Sequence, residues 1–285
     1  MDYKVTRHIL AGDDVEYLAT AHKDSGFFDE GLPDTLVIHY TAGGSLEGAV
    51  NALRDPHVRA SAHLVVGRDG RIKQLIPFNK IAWHAGQSSW QGRSGLNRYS
   101  IGIEIDNAGK LSKTGDLYKT WYGGIIPQEH VYYGTHRNES SPAYWHDFTE
   151  KQITCVFELC RVLRDKYDIV TIVGHEEISP GRKIDPGPAF PLDKLRNVLL
   201  EDRSADEPVV RPDEPDASPI PGKKAGIVTA SSLNFRSAPN YNAAPLSGPL
   251  PNGTKLTVLD EEHGWYKVDV PQTGWVKKEY VRIID

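Results

Sequence analysis

The segment GHEEISPGRKIDPGP, residues 174–188, carries a histidine, a lysine and an aspartate on one short path. Its prolines fix φ and remove backbone donors, and its glycines permit turns closed to other residues, so we expect no regular helix here. His175 and Asp185 offer an imidazole nitrogen and a carboxylate oxygen, both of which bind Zn²⁺. Lys183 brings a positive charge to the same place. The segment predicts two of the three protein ligands of a catalytic metal site. The third ligand is expected elsewhere in the chain.

A catalytic zinc site combines three protein ligands with one open position. Residues 35–38, TLVI, form a short apolar run typical of a buried strand, and His39 follows at its carboxyl end. Residues 170–173 predict another buried strand that leads through Gly174 into His175. Histidines at the ends of neighbouring strands can point to a common centre, so His39 is the predicted third ligand. Taken singly, each histidine is also compatible with a hydrogen-bonded, partly buried residue.

The elements around these residues alternate between strands and helices. Residues 63–66 and 72–75 are β-rich runs joined through Asp69-Gly70, a hairpin signal. In residues 100–105 isoleucines alternate with glycine and Glu104, so Glu104 projects from the face opposite the isoleucines. Strands interleaved with helices predict an α/β domain with a central mixed β-sheet flanked by helices.

The clearest helix begins after Thr149, which can form a capping box with Gln152. One stripe of this helix consists of Ile153, Val156, Cys160, Leu163 and Tyr167. A second helix is predicted from Pro191, with Leu192, Leu195, Val198 and Leu199 facing inward. Shorter helices are expected at residues 13–23 and 46–54. Residues 110–146 are aromatic-rich without clear periodicity, and we expect a long surface insertion that can form part of the cleft wall.

Composition narrows the class of protein. The 285 residues include 33 basic and 38 acidic side chains, which argues against a nucleic-acid partner held by a strong positive field. No apolar run approaches membrane-spanning length, so we expect no membrane span. Cys155 and Cys160 lie five residues apart on the predicted helix and point to different faces. We expect buried free thiols and no mutual disulfide.

The composition changes at Ser204. Residues 204–225 are rich in proline and acidic side chains without an amphipathic period, which predicts a linker between domains at residues 1–203 and 226–285. The second domain consists of short β-rich runs separated by turn pairs such as Asn252-Gly253 and His263-Gly264. This pattern predicts a small all-β barrel.

Four motifs within residues 30–200 resemble, in the family's order, the zinc-dependent N-acetylmuramoyl-L-alanine amidases of the AmpD type. They are LVIHYTA around His39, AWHAG at residues 82–86, SIGIEI at residues 100–105, and the segment at residues 174–188. The family fold, shared with peptidoglycan recognition proteins, is a central mixed sheet flanked by helices. The resemblance implies one Zn²⁺ ion and hydrolysis of the amide bond between N-acetylmuramic acid and L-alanine in peptidoglycan or muropeptides.

The resemblance also implies roles for individual residues. His39, His175 and Asp185 match the zinc ligands, Glu104 matches the catalytic acidic residue, and Lys183 matches the catalytic lysine.

A phage branch of the family has a tyrosine immediately before the histidine that aligns with His63. Ala62 occupies that place here, so Glu104 must carry the acid–base role.

Three further residues match the region that lines the substrate cleft in relatives: Trp83, His84 and Asn97. For His84, a contact with substrate and a structural role in its loop both remain open. Sugar stacking and simple packing both remain open for Trp90, Trp121 and Trp145.

The C-terminal segments SSLNFRSAPN, LPNGTKLTVL, GWYKVDV and TGWVKKEYV resemble a bacterial SH3-type domain, so the predicted barrel is SH3-like. Such a domain implies cell-wall binding that raises the local enzyme concentration, with a stabilising or protein-docking role as the alternative. For the whole chain, the alternative to an amidase is a non-catalytic peptidoglycan-recognition protein. We expect a monomer. The first residues lack the pattern of a signal peptide, so a cytoplasmic location and release to the cell wall both remain open.

Overall fold

The computed structural model describes residues 3–200, 224–228, 232–233, 235–238, 246, 250–251, 253–262, 265–270, 272–277 and 281–284. The chain divides into two compact units, Met1–Val209 and Val210–Asp285. Most of the predicted linker, residues 204–223, lies outside the described residues. Its last two residues, Lys224 and Ala225, belong to the first strand described in the second unit.

The first unit combines strands and helices. Its strands are Lys4–Thr6 (β1), Ile9–Ala11 (β2), Val15–Tyr17 (β3), Asp24–Phe27 (β4), Thr35–Tyr40 (β5), Leu64–Val66 (β6), Ile72–Gln74 (β7), Lys80–Ala82 (β8), Ser89–Trp90 (β9), Arg93–Ser94 (β10), Ser100–Ile105 (β11), Lys110–Thr114 (β12), Leu117–Lys119 (β13), Ile125–Ile126 (β14), Val131–Thr135 (β15), Pro142–His146 (β16) and Thr171–Gly174 (β17). Its α-helices are Leu46–Arg54 (α1), Glu150–Tyr167 (α2), His175–Ile178 (α3) and Leu192–Leu200 (α4).

The central sheet has the strand order β17-β5-β11-β6-β7-β3. Strands β17, β5, β11 and β6 are parallel, whereas β6 and β7 form the predicted antiparallel hairpin. The sheet is therefore mixed, as the sequence predicted. Its middle strands carry near-continuous apolar runs because helices cover both faces.

Alternation along β6 shows how the two faces are covered. Leu64 and Val66 pack in the cluster that includes the buried residues of α2 and α4. Val65 points to the opposite face and packs with Leu46 and Val50 of α1. The capping box of Thr149 and Gln152 is present at the start of α2, as predicted.

Three local predictions were wrong. Residues 13–23 contain strand β3, which pairs in parallel with β7, because the free edge of β7 offers backbone partners that outweigh a weak helical pattern. Val198 is 42% exposed, since the core stripe of α4 passes through Leu192, Leu195 and Leu199 instead. The segment at residues 174–188 does contain one helical turn, α3.

Residues 110–146 are not structureless. They form an antiparallel five-stranded sheet with the order β14-β13-β12-β16-β15. The strands are two to five residues long, too short for a period to stand out in the sequence. Trp145 is buried within this part of the fold, so it packs in the protein interior and does not stack on a sugar.

The described part of the second unit is all-β, as predicted. Its strands are Lys224–Val228 (β18), Ser232–Leu233 (β19), Leu250–Pro251 (β20), Lys255–Glu262 (β21), Trp265–Val270 (β22), Gln272–Lys277 (β23) and Val281–Ile284 (β24). Five of them form a sheet in the order β23-β22-β21-β18-β24. Its core includes Val228, Phe235, Trp265 and Val268. Of the predicted turn pairs, Asn252 and residues 263–264 lie outside the described residues.

Two expectations from composition can be compared with the structure. Both cysteines are buried and free, as predicted. Among the helices of the described residues, none is long and apolar enough to cross a lipid bilayer.

His63 is a buried histidine of the core, and its protonation makes the stability of the fold depend on pH. Its Nδ1 accepts the Gly102 N–H at 3.0 Å and its Nε2–H donates to the Lys80 carbonyl at 2.8 Å, so the ring is fully bonded when neutral. Burial lowers the pKa of His63 to about 4. The unfolded chain, with a histidine pKa near 6.5, therefore binds more protons as the pH falls below that value.

We predict that the His63 contribution to stability, complete above about pH 6.5, falls by about 2 kcal/mol by pH 5. The free energy of unfolding from denaturant titrations at pH 7 and pH 5 measures this loss. His63→Gln should reduce the pH dependence, whereas His57→Gln, at an exposed position, should preserve it. The prediction would be contradicted if the free energy of unfolding fell equally between pH 7 and pH 5 in wild type and His63→Gln.

Candidate functional site

The candidate site lies where parallel strands of the central sheet end. His39 of β5 is paired in register with Glu104 of β11, and Ile38 is paired with Gly174 of β17. His175 directly follows Gly174, as the first residue of α3. Because parallel strands end at the same edge of a sheet, the backbone brings these three side chains to one place.

Three donor atoms converge at this edge. His39 Nδ1 lies 2.9 Å from His175 Nδ1 and 3.1 Å from Asp185 Oδ2, and His175 Nδ1 lies 3.0 Å from Asp185 Oδ2. All three residues are buried. Two imidazoles and a carboxylate match the donor set of a catalytic zinc site, so these residues fit the metal that the sequence predicted.

The electrostatics of the trio favour metal binding. Burial raises the pKa of Asp185, but hydrogen bonds to His175 and His39 outweigh it and hold that pKa below its usual range. Burial, then the neighbouring His175, lowers the pKa of His39 to about 4. A carboxylate and a neutral imidazole are the protonation states in which these groups bind a metal ion.

The opposite ring nitrogens of both histidines are occupied by protein groups. His39 Nε2 lies 3.0 Å from His84 Nδ1, and His84 Nε2 lies 3.2 Å from the carbonyl of Ser100. His175 Nε2 lies 3.0 Å from the carbonyl of Ala85. These bonds fix the tautomers and aim both Nδ1 atoms at the common centre, as second partners of metal-binding histidines do.

The AWHAG loop is held by side chains predicted to line the cleft. Asn97 Oδ1 accepts the backbone N–H groups of His84 and Ala85 at 3.0 and 2.7 Å. A Cβ at Gly102 would lie 2.3 Å from the His84 ring, so this glycine makes room for the ring. His84 thus packs behind His39, and Asn97 holds its loop, while the predicted substrate contacts of both residues stay predictions. Trp83 is half-buried and its indole N–H donates to Ser25 Oγ at 2.7 Å.

Glu104 and Lys183 act electrostatically on the same centre. Burial and the negative charge of Asp185 raise the pKa of the Glu104 carboxyl well above its usual value, and the positive charge of Lys183 opposes this shift. Lys183 also contributes to the lowered pKa of His39. Glu104 Oε2 is buried without a hydrogen-bond partner among the described residues. A buried carboxyl with an unused oxygen is suited to exchange a proton with a ligand.

A group of residues that the sequence did not indicate holds the Asp185 loop. Glu176 Oε2 accepts from His136 Nε2 at 2.6 Å and from the Gly187 N–H at 3.1 Å, and its Oε1 accepts from Arg137 Nε at 2.7 Å. The backbone N–H of Glu176 donates to the Asp185 carbonyl at 2.8 Å. The connection between β15 and β16, which carries His136 and Arg137, thus holds the segment that carries Asp185. The acidic pair Glu176-Glu177 was the visible signal, but nothing in the sequence named its partners.

Sequence comparisons agree with the geometry. The profile of a family described as N-acetylmuramoyl-L-alanine amidase matches residues 29–188, and that of a bacterial SH3 domain matches residues 231–282. The 1,6-anhydro-N-acetylmuramyl-L-alanine amidase AmpD of Escherichia coli is 34% identical over 148 residues, which are 51% of this chain and 62% of that protein. AmpD of Haemophilus influenzae is 33% identical over 175 residues, which are 54% of this chain and 76% of that protein.

A second Escherichia coli protein, N-acetylmuramoyl-L-alanine amidase AmiD, is 33% identical over 169 residues, which are 56% of this chain and 51% of that protein. The chain thus spans less than two thirds of the length of both Escherichia coli relatives. A crystal structure of an Se-Met AmpD derivative superposes with a TM-score of 0.47 and 27% identity, covering 69% of this chain and 98% of that chain. Since the amidase profile covers more than half of the sequence, the chain belongs to the N-acetylmuramoyl-L-alanine amidase family and carries a bacterial SH3 domain.

Proposed function

We propose that this chain is a zinc-dependent N-acetylmuramoyl-L-alanine amidase. Its substrate is peptidoglycan or a muropeptide, and the bond it hydrolyses joins the lactyl group of N-acetylmuramic acid to L-alanine. The observation that carries the proposal is the convergence of His39 Nδ1, His175 Nδ1 and Asp185 Oδ2 within 2.9–3.1 Å of one another. Membership of the amidase family supports the same reaction.

His39, His175 and Asp185 hold one Zn²⁺ ion in this proposal. A bound ion of this kind supplies Lewis-acid chemistry that polarises an amide carbonyl and lowers the pKa of water towards about 7. The chain itself supplies rigid ligand geometry, because His84, Ser100 and Ala85 occupy the outer nitrogens of the two rings.

Glu104 is the proton carrier. Its carboxylate takes a proton from the attacking water and gives it to the leaving nitrogen of L-alanine, so that one carboxyl serves both halves of the hydrolysis. The pKa raised by burial and by Asp185 suits this exchange, because a group that binds its proton too weakly is a poor base. The unpartnered Oε2 is free to make the required hydrogen bond.

Lys183 stabilises the oxygen of the scissile carbonyl as it gains negative charge. An ammonium group aimed at a developing oxyanion is typically worth about 3 kcal/mol. Its positive charge lowers the pKa values of both Glu104 and His39, which supports this role.

The bacterial SH3 domain is proposed to bind cell-wall peptide and so to tether the amidase to its polymer. The resulting enzyme is expected to act as a monomer. Its domains are those predicted from the sequence, residues 1–203 and 226–285 with a linker at 204–225, except that Lys224 and Ala225 belong to the second domain through β18.

A non-catalytic recognition protein is the competing function. A pure binder has no need of a carboxyl with one buried, unpartnered oxygen beside a histidine–aspartate trio, which favours the enzyme. We predict that purified protein releases free stem peptide from a soluble muropeptide, that chelation abolishes release, and that added Zn²⁺ restores it. Product analysis by mass spectrometry measures the reaction. Binding of the muropeptide without cleavage by zinc-loaded wild type would refute the amidase.

The metal ligands can be tested apart from turnover. Asp185→Asn should lose bound zinc, as measured by elemental analysis after gel filtration, because two neutral imidazoles bind the ion far more weakly than the complete set. Asp29→Asn, at an exposed position, should retain one zinc ion per chain. Full zinc content in Asp185→Asn would remove this residue from the site.

Replacing the proton carrier should separate metal binding from catalysis. We predict that Glu104→Gln keeps its zinc but lowers kcat by about 10²–10⁴-fold, the usual contribution of a general acid–base. Glu30→Gln, an exposed control, should leave kcat unchanged. A Glu104→Gln enzyme with full turnover would contradict the assigned role.

The tethering role can be separated from the chemistry by removing residues 204–285. The shortened protein should lose much more activity on insoluble sacculi than on soluble muropeptides, since tethering raises local concentration only at a polymer. Release of soluble product measures both reactions. Equal loss on the two substrates would show that the SH3 domain does not act as a tether.

A further inference from the structure

The turn between β13 and β14 presents two exposed aromatic rings. Trp121 is 75% exposed and Tyr122 is 43% exposed, and their rings meet edge to face with centroids 5.5 Å apart. Trp121 Nε1–H donates to the carbonyl of Ala42 at 2.7 Å, and the Tyr122 hydroxyl donates to the carbonyl of Gly43 at 3.2 Å. Both polar atoms are therefore bonded to protein while the rings face solvent.

These bonds place the rings beside the candidate active site. Ala42 and Gly43 follow the metal-site residue His39 by three and four positions. Three residues of extended chain reach at most about 11 Å, so the rings are bonded to the loop that directly follows the candidate site residue His39.

The turn is held together by hydrogen bonds of its own. Thr120 is buried, its Oγ1 accepts the Gly124 N–H at 2.8 Å, and its carbonyl accepts the Gly123 N–H at 3.0 Å. Gly123 has φ of +87°, a conformation that glycine adopts without strain. A ring fixed in advance loses little conformational entropy on binding, so its contact energy is kept for the ligand.

We propose that Trp121, with Tyr122 at its edge, is a stacking platform for a pyranose ring of the glycan strand. The ring bound there lies beyond the muramic acid whose amide is cleaved. Because the indole N–H is bonded to Ala42, Trp121 offers a ligand only its apolar face. A pyranose ring has an apolar C–H face that packs on such a surface through dispersion contacts. Residues 120–124 carry no charged side chain to receive an ionised stem peptide.

This inference rests on the proposed amidase function and narrows its substrate. An enzyme with a platform beyond the cleaved residue gains affinity from sugars that a single-sugar fragment lacks. The preferred substrate is then a glycan chain that carries stem peptides, and fragments with one sugar bind more weakly.

The test compares two soluble substrates with the same stem peptide, one carrying a single N-acetylmuramic acid and one carrying four sugars. Trp121→Ala should raise KM for the four-sugar substrate by roughly fivefold to tenfold, the loss of one aromatic contact, with kcat within about twofold. KM for the single-sugar substrate should stay within about twofold. Trp121→Phe keeps a ring but loses the N–H, and it should retain most of the affinity.

Tyr133→Ala is the matched control, because Tyr133 is an exposed ring of β15 at the opposite edge of the same sheet. It should change neither KM. Equal losses on both substrates, or a Trp121→Phe enzyme as impaired as Trp121→Ala, would overturn the proposal and assign Trp121 to holding the Ala42 loop. Unchanged kinetics in Trp121→Ala would also overturn the proposal of a sugar-binding platform. The exposed rings would then be assigned to contact with a different partner, such as a protein.

Direct binding separates this proposal from the amidase itself. Calorimetry with a peptide-free four-sugar glycan should show weaker binding by Trp121→Ala than by wild type, in full-length proteins that share the same C-terminal unit. If wild type binds this glycan through Trp121 but cleaves no muropeptide, the stacking platform is supported and the proposed amidase function is refuted. If wild type cleaves muropeptides and Trp121→Ala binds the glycan normally, the amidase stands and the platform fails.

Discussion

The parallel register of β17, β5 and β11 is the constraint on which the candidate site depends. It sets His39 directly beside Glu104 on one side, and sets Ile38 beside Gly174 on the other. A shift of one residue in either pairing would turn the side chains of that strand to the opposite face. The buried isoleucines of β11 oppose such a shift, because it would move them from the core shared with α2 and α4 to the face where the His84 ring packs against Gly102. Core packing thus fixes the relative positions of His39, Glu104 and Gly174.

Two groups of hydrogen bonds hold the side chains that this register brings together. Hydrogen bonds to His84 and Ala85 orient the histidine rings, and Asn97 holds the loop that provides both. On the other side, Glu176 ties the Asp185 segment to the connection between β15 and β16 of the five-stranded sheet. The insertion that carries this sheet therefore has two ends with different tasks. One end holds the segment that carries Asp185, and the other carries the exposed Trp121, whose indole N–H bonds to the carbonyl of Ala42.

Local sequence patterns predicted much of the fold. They failed where contacts with distant segments determined the secondary structure or the burial of a residue. The capping box of Thr149 and the alternating β11 were read correctly because capping and alternation are short-range properties. The strand at Val15–Tyr17 was missed, since its hydrogen bonds are made with β7, more than fifty residues away. Short strands in residues 110–146 gave no period to recognise, and a helical stripe drawn one residue too wide included the exposed Val198.

The sequence by itself determined the chemical types and order of the candidate groups, since histidine, aspartate, glutamate and lysine stood in motifs that resemble one family. It also determined a two-part chain with an α/β region and a β-rich region. Only the tertiary structure decided that His39, His175 and Asp185 converge within hydrogen-bonding distance and that His84 is buried behind His39. It likewise left Trp121 exposed while Trp145 is buried. The physical reason is that residue type is local, whereas distance, burial and ring orientation arise from strands and loops that meet only after folding.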